Sequence, residues 1–375
     1  MALRLIVAVV VSVGLSGAPA LAQQGPAGIT TPSVLAPFDP QAAACSAPSG
    51  LGKSLLFAMD NDRDFITGAG AGLMAAAKDR GLSYAAVNAQ SDAARQAEQI
   101  RAAITAKSGA VVTAPVDALA LAPILQEVIW SGAYVGTIVP PPAITILNAP
   151  QYLTGRTLAE DAARHIREKF GGKADVVLLT HDSLQFLAPR FAAMRDVLSE
   201  MPEVTIVADI SPATVDEAGG YHAMQTVLEA FPNVDVVLGA DTVVLGALRA
   251  LREAGRDRPD QYLGGIDGEP QAVTEILGGT GPYKASIALS SPIFGYALGQ
   301  YAADWLEGRS VPQAMDVLPF ALTKDNIAQY RADQNDPGAV FADPVRRDAY
   351  LRMYGNICAD SRDQYLNFPW SSEAG

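Results

Sequence analysis

An acidic run at residues 60–64, with the sequence DNDRD, is the first group of side chains that could bind something. Its spacing is close to that of a calcium loop, which needs a glycine and a final glutamate where this chain has Phe65 and Ala71. The run follows a short apolar segment, and open α/β sheets bind ligands at the carboxyl ends of their strands. We therefore expect no calcium site, and either a ligand-binding loop or a solvated loop that caps a helix.

Two glycine-rich segments fail as nucleotide-binding motifs. In SGLGKS at 49–54, Ala47 replaces the first glycine of a phosphate-binding loop, and a strand rather than a helix follows. In GAGAG at 68–72, Leu73 stands where a dinucleotide fingerprint needs its third glycine, and the segment has helical spacing. We predict instead that the glycines of 68–72 allow close packing of a helix.

Catalytic and metal-binding side chains are sparse. The sequence has no G-x-S-x-G segment, and its two cysteines and three scattered histidines give no zinc-ligand spacing. The prediction is therefore no enzyme activity, no cofactor and no metal.

Length, composition and charge restrict the class of protein further. The 375 residues, 49% of them hydrophobic, are enough for two domains with separate cores. The formal net charge of −13 disfavours nucleic acid and anionic membrane surfaces as partners, since both are negatively charged.

The first 22 residues have the pattern of a secretory signal peptide. Arg4 is followed by an apolar run at 5–15, and the A-x-A sequence at 20–22 provides a cleavage site. The apolar run is too short to span a bilayer. We expect a soluble protein exported to the periplasm, with an uncleaved anchor as the alternative.

Cys45 and Cys358 lie far apart in the sequence. In an exported protein such a pair is expected to form a disulfide, which here would join an extended arm at 23–51 to the C-terminal region. Two unpaired buried thiols are the alternative.

Between these ends, short apolar strands alternate with helical patterns, which predicts parallel sheets covered by helices on both faces. Three consecutive prolines at 140–142 divide the pattern into two similar α/β halves, and an extension at 323–375 follows. The predicted strands are residues 54–59, 82–88, 110–114, 134–139, 175–180, 204–210, 234–238, 262–266 and 283–289, and the helices are 64–80, 92–106, 117–131, 151–170, 185–200, 214–230, 242–254, 269–277 and 292–307.

Four segments carry a family resemblance. They are 55–79, 234–255 with the sequence VDVVLGADTVVLGALRALREAG, 262–270 with the sequence YLGGIDGEP, and 283–308, which ends in ALGQYAADWLEG. Together they resemble the periplasmic sugar-binding proteins of ABC importers, of the ribose- and galactose-binding type. The resemblance covers residues 52–322 and leaves the C-terminal extension outside it.

The resemblance implies a type I periplasmic binding fold, with two α/β lobes joined by a three-strand hinge. The N-terminal lobe would contain residues 52–140 and 290–317, and the C-terminal lobe 141–289 and 318–322. A sugar would bind between the lobes, and a membrane permease would recognise the closed form.

The same resemblance assigns ligand-binding roles to six side chains. An aromatic ring can cover the C–H groups of a sugar, a carboxylate can accept from two hydroxyl groups, and a guanidinium group suits neighbouring acceptors. Asp241 begins the helix of the second segment, and a one-residue gap would make Ala240 the alternative. The residues implied are Asp62, Asp64, Phe65, Arg190, Asp241 and Asp267.

Two positions depart from the family pattern. Val139 and Pro140 stand where the ribose-type proteins have an Asp-Arg pair, and Leu289, with Ser290 beside it, replaces a polar group at the last hinge. Together with Phe186, these residues predict a more apolar cleft. The expected ligand is a monosaccharide, a deoxy sugar or a polyol.

We expect a monomer that serves an ABC transporter permease. The alternative function is a periplasmic sensing subunit that presents the same fold to a chemoreceptor or a histidine kinase.

Overall fold

The computed structural model of the chain describes residues 27–373. The predicted signal peptide lies outside these residues. Within them, no helix combines the length and apolar character that crossing a membrane requires.

Strands and helices alternate along most of the described chain. The strands are β1 (Gly52–Met59), β2 (Ser83–Asn88), β3 (Ser108–Thr113), β4 (Tyr134–Ile138), β5 (Thr145–Asn148), β6 (Ala174–Leu179), β7 (Val204–Ile210), β8 (Val236–Leu238), β9 (Tyr262–Asp267), β10 (Tyr283–Ala288), β11 (Ala314–Val317), β12 (Phe320–Ala321) and β13 (Leu351–Tyr354). The helices are α1 (Asp64–Asp79), α2 (Ala93–Thr105), α3 (Ala118–Trp130), α4 (Gln151–Phe170), α5 (Ala188–Ser199), α6 (Glu217–Ala230), α7 (Asp241–Glu253), α8 (Pro270–Gly278), α9 (Ser291–Leu306), α10 (Ile327–Asn335), α11 (Pro337–Ala342) and α12 (Pro344–Tyr350), with a 3-10 helix at Ala359–Gln364.

The strands form two sheets, each the centre of one lobe. The first sheet has the order β13-β11-β5-β4-β3-β1-β2, and the second has the order β12-β10-β9-β8-β6-β7. Pairing is parallel except where β13 joins β11 and where β12 joins β10. The predicted α/β class with two helix-covered, largely parallel sheets is confirmed.

Glycines allow pairs of helices to pack closely in both lobes. In α1, a side chain at Gly72 would overlap the carbonyl oxygen of Pro292 in α9. In α4, a side chain at Gly155 would overlap the carbonyl oxygen of Arg190 in α5. The first contact explains why a glycine is needed at residue 72 of the 68–72 segment. The second packs α4 directly against the backbone of Arg190.

The first crossing between the lobes lies later in the chain than residue 140, where the sequence analysis expected it. After the prolines, β5 pairs with β4 on one side and β11 on the other, so residues 145–148 belong to the first sheet. The chain crosses to the second lobe between Asn148 and α4. This four-residue strand was missed because so short a segment after three prolines carries no pattern of its own.

Two further crossings connect the lobes. β10 lies in the second sheet, whereas α9 packs on α1 of the first lobe, so the chain crosses at 289–290. β11 lies in the first sheet and β12 in the second, so the third crossing is at 318–319.

The arm and the C-terminal extension pack against the first lobe. The predicted disulfide between Cys45 and Cys358 is present, with the two Cα atoms 5.9 Å apart. Strand β13 of the extension adds an antiparallel strand to the first sheet, and Pro37 of the arm bridges to Tyr354 at its end. The sequence pattern did not predict that the extension contributes a strand.

Candidate functional site

A cleft of about 480 Å³ lies between the two lobes. It is lined by residues that follow β1, β3 and β4 of the first lobe and β6, β7, β8 and β9 of the second, together with residues of the crossings. Because parallel strands end at the same edge of a sheet, the cleft collects the loops in which open α/β folds bind ligands.

Arg190 and Asp267 provide the charged groups of the second lobe. Arg190 is 5% exposed, and its Nε donates to Oε1 of Gln151 at 2.9 Å. Burial lowers the pKa of Arg190, and the charge of Asp267 opposes that change. Both residues line the cleft, as the resemblance implies.

The carboxylate of Asp267 opens onto the cleft. It makes no hydrogen bond to any side chain or backbone group of residues 27–373, and burial raises its pKa to about 7 despite the nearby charges of Arg190 and Arg63. A ligand hydroxyl that donates to this carboxylate would satisfy an acceptor that the protein leaves unpaired.

Three non-glycine residues of the cleft have a left-handed backbone. Asp267 has a φ of 125°, Val139 has a φ of 74° and Ser91 has a φ of 61°. Such angles are unfavourable, above all for a β-branched residue, and strained residues of this kind concentrate at binding sites. Asp267 ends β9 and Val139 follows β4, so these two strained positions lie at strand ends that line the cleft.

The acidic run contributes different side chains from those expected. Asp60, Asn61 and Arg63 line the cleft, whereas Asp62 and Asp64 are exposed and lie outside it. Arg63 Nη1 donates to Asp60 Oδ2 at 2.6 Å and to Asn61 Oδ1 at 2.8 Å. Asp62 and Asp64 alternate with these paired residues and face solvent, so the structure does not place them in the cleft as the sequence analysis expected.

Asp241 is a structural residue behind the cleft rather than part of its lining. Its carboxylate accepts from the hydroxyl of Tyr283 at 2.6 Å, the hydroxyl of Ser286 at 2.6 Å and the backbone N–H of Glu269 at 2.9 Å. Burial raises its pKa, and these hydrogen bonds oppose that change. Asp241 therefore holds the turn after Asp267, and the alternative residue, Ala240, lines the cleft.

Apolar side chains form much of the remaining wall. Phe65, Phe186, Val139 and Leu289 all line the cleft, as predicted, and the ring of Phe65 lies 5.4 Å from that of Phe294. Ser290 is fully buried and does not line it, because it lies next to the start of α9 within the first lobe.

Gln151 and His181 are cleft residues that the sequence analysis missed. His181 is buried, its Nε2 has no hydrogen-bond partner in the described chain, and burial lowers its pKa, with Arg190 adding to the effect. His181 lies two residues after β6 and Gln151 follows the first crossing. Position at a strand end was therefore the available signal.

This arrangement suits a small, uncharged, hydroxyl-bearing molecule. Asp267 can accept, Arg190 can donate, and His181 can do either, while the aromatic and aliphatic wall can cover C–H groups. Within residues 27–373, no group of three or more His, Cys, Asp or Glu side chains could hold a metal ion.

Comparison with known proteins gives the same picture. Residues 55–310 match the model of the periplasmic binding protein domain family. A D-apiose import binding protein of Actinobacillus succinogenes is 34% identical over 34% of this chain and 41% of its own length. A xylitol-binding protein of Mycolicibacterium smegmatis is 27% identical over 70% of this chain and 75% of its own length.

A solved structure shows the same fold. The Mycobacterium smegmatis protein crystallised with β-D-fucofuranose has a TM-score of 0.67 and 20% identity, covering 82% of this chain and all of the other.

Proposed function

The chain belongs to the periplasmic binding protein domain family, and we propose that it is the solute-binding component of an ABC importer for a small carbohydrate-like ligand. The observation that carries this proposal is the cleft between the lobes, where the unpaired carboxylate of Asp267 and the buried guanidinium group of Arg190 face an apolar wall. A mobile two-lobed protein needs no catalytic group for this task.

Ligand capture would use both lobes. The second lobe offers Asp267, Arg190 and His181, and the first lobe offers Phe65 and the Asp60–Arg63 pair. A ligand that contacts both sides binds the closed form better than the open form, and this difference in affinity drives hinge closure. A permease would then recognise the closed protein.

The ligand class follows from the lining. Relatives named for D-apiose, xylitol and ribose bind small polyhydroxy compounds, and we extend that class to this chain. Val139 and Leu289 provide no hydrogen bond from their side chains, which favours ligands with fewer hydroxyl groups to satisfy. We propose a monosaccharide, a deoxy sugar or a polyol.

The remaining features of the proposal concern the cellular setting. We propose export to the periplasm by the predicted signal peptide at 1–22, a monomeric state, delivery to an ABC permease and no enzyme activity. The names of the relatives as import and binding proteins favour delivery to a permease over the sensing-subunit alternative.

A thermal-shift screen tests the proposed ligand class. The purified protein is heated with D-ribose, D-xylose, L-arabinose, L-fucose, xylitol, myo-inositol and glycerol, each in separate samples. A ligand at a hundred times its Kd adds about 2.7 kcal/mol to the free energy of unfolding, which gives a readily measured rise in Tm. A rise for one or a few compounds supports the proposal, and no rise across the panel contradicts the carbohydrate class.

A further inference from the structure

The end of the C-terminal extension lies across the first crossing between the lobes. We call residues 366–373 the tail strap. It is anchored on the first lobe, because Leu366 and Ala143 exchange two backbone hydrogen bonds of 3.1 Å. The Trp370 ring also packs on Tyr354 of β13, with 4.9 Å between the ring centroids.

A chain of buried hydrogen bonds connects the tail strap to the cleft. The carbonyl oxygen of Trp370 accepts from Asn148 Nδ2 at 2.8 Å, and Asn148 Oδ1 accepts from Gln151 Nε2 at 3.0 Å. Gln151 Oε1 in turn accepts from Arg190 Nε at 2.9 Å. All four residues are at most 6% exposed, so water does not compete with these bonds.

Glu373 joins the tail strap to the second lobe. Its carboxylate accepts from the backbone N–H groups of Tyr152 and Leu153, at 2.9 and 2.8 Å. Helix α4 begins after Pro150 and has neither a side-chain cap nor an acidic residue in its own first turn. A distant carboxylate therefore satisfies the free N–H groups and the positive end of this helix.

We propose that the tail strap positions Arg190 and restrains the opening of the two lobes. The disulfide and β13 hold the extension on the first lobe. Glu373 binds the start of α4, which is the first helix of the second lobe. Rotation of α4 away from the first lobe must break the contacts of Glu373. This inference goes beyond the proposed function, since it concerns the protein without ligand.

Helix α10 provides a second contact between the extension and the second lobe. The Tyr330 hydroxyl donates to the carbonyl oxygen of Gly268 at 3.2 Å, directly after Asp267. Asp333 ties α10 to α12 by accepting from Tyr350 and Arg346, both at 2.6 Å. The extension thus contacts the second lobe both at the start of α4 and at the turn after Asp267.

Distance measurement between spin labels tests the restraint. Labels are attached through K78C in α1 and E229C in α6, both exposed positions, in the full-length ligand-free chain with its native disulfide. The test variant is Glu373→Ala. The matched control is Asp92→Ala, which removes the cap of α2 within the first lobe, an acceptor for the N–H groups of Ala94 and Arg95.

Loss of a helix cap costs about 1 kcal/mol, which changes the equilibrium between two conformations about fivefold when only one of them has the cap. We expect Glu373→Ala to raise the ratio of open to closed populations by about that factor, Glu373→Gln to fall between it and the native protein, and Asp92→Ala to match the native protein. Equal distance distributions for Glu373→Ala and Asp92→Ala would overturn the restraint, whatever their Tm values.

Hydrogen exchange at the Arg190 side chain tests the positioning role. The Nε–H signal of Arg190 is identified by its loss in Arg190→Lys. It should exchange several-fold faster in Glu373→Ala, which loses the contact with α4, and in Trp370→Ala, which loses the packing on Tyr354, than in Asp92→Ala. Equal rates in the three variants would show that the tail strap does not act on Arg190.

Discussion

The two lobes are both built on a largely parallel sheet with packed helices but contribute different chemistry to the cleft. In the second lobe, Asp267 and His181 carry polar atoms that have no hydrogen-bond partner within residues 27–373. In the first lobe, Arg63 already pairs with Asp60 and Asn61, and Phe65 adds an apolar surface. Unsatisfied groups gain most from a ligand, so we infer that the second lobe dominates affinity and the first lobe mainly covers the ligand.

The lobes also differ in what stabilises them. The arm, the disulfide and β13 all belong to the first lobe, while the second lobe has its own core, buried groups such as Asp241 and a few contacts with the extension. Some substitutions should therefore lower the free energy of unfolding, and others should raise the Kd of the ligand.

The largest expected effect concerns the disulfide of the first lobe. Replacing both cysteines, C45S with C358S, releases a loop with a sequence separation of 313 residues. The chain-entropy relation gives a loss of about 6 kcal/mol in the free energy of unfolding. Urea denaturation checks this, and hydrogen exchange should rise first in the arm and β13. An unchanged urea midpoint would contradict the account.

Asp241→Ala is the second prediction and concerns stability of the second lobe. It leaves the hydroxyl groups of Tyr283 and Ser286 buried without their acceptor, which costs about 3 kcal/mol. Urea denaturation measures the loss, with the exposed Asp62→Ala as the control. If Asp241→Ala keeps native stability but no longer binds the ligand, the structural role is wrong and Asp241 is a ligand-binding residue.

The third prediction is that ligand affinity depends on Asp267 and Arg190. Asp267→Asn and Arg190→Ala should each raise Kd more than tenfold, because each removes a charge-assisted hydrogen bond. Calorimetry with the compound that gives the largest thermal shift measures Kd. Asp62→Asn and Asp64→Asn are matched controls outside the cleft, and an effect of equal size in these controls would contradict the site.

The fourth prediction is a dependence of affinity on pH. Because the pKa of Asp267 is raised to about 7, this carboxyl is largely protonated at pH 6 and largely ionised at pH 8. A ligand whose hydroxyl donates to the ionised form should bind about tenfold more weakly at pH 6 than at pH 8. Asp267→Asn should flatten the profile, and an unchanged slope in that variant would assign the titration to another group.

Phe65→Ala tests the smaller role of the first lobe. Loss of one aromatic surface should raise Kd about fivefold, less than either charged substitution in the second lobe. Calorimetry under the same conditions makes the comparison. An effect larger than that of Asp267→Asn would reverse the inferred division between the lobes.

The sequence predicted most of the fold because apolar strands and helix spacing repeat regularly from β1 to α9. The family resemblance also pointed to Phe65, Arg190 and Asp267, which line the cleft, and their contacts with a ligand stay predictions. The sequence pattern failed at β5, which is only four residues long and follows three prolines.

The errors among the site residues have a common physical origin. Strand ends give the region of a site but not the direction of each side chain. Asp62 and Asp64 point outward because Arg63 pairs with Asp60, and Asp241 points inward because Tyr283 and Ser286 donate to it. Contacts between residues distant in sequence decide these directions, as they do for Glu373 at the start of α4.

The most direct test of the account is a crystal structure with the compound that gives the largest thermal shift. We predict that the compound lies between the lobes, donates a hydroxyl to the carboxylate of Asp267 and accepts from Arg190, with Phe65 over its C–H groups. A compound bound outside the cleft, or held there without contact to Asp267 and Arg190, would contradict the central claim.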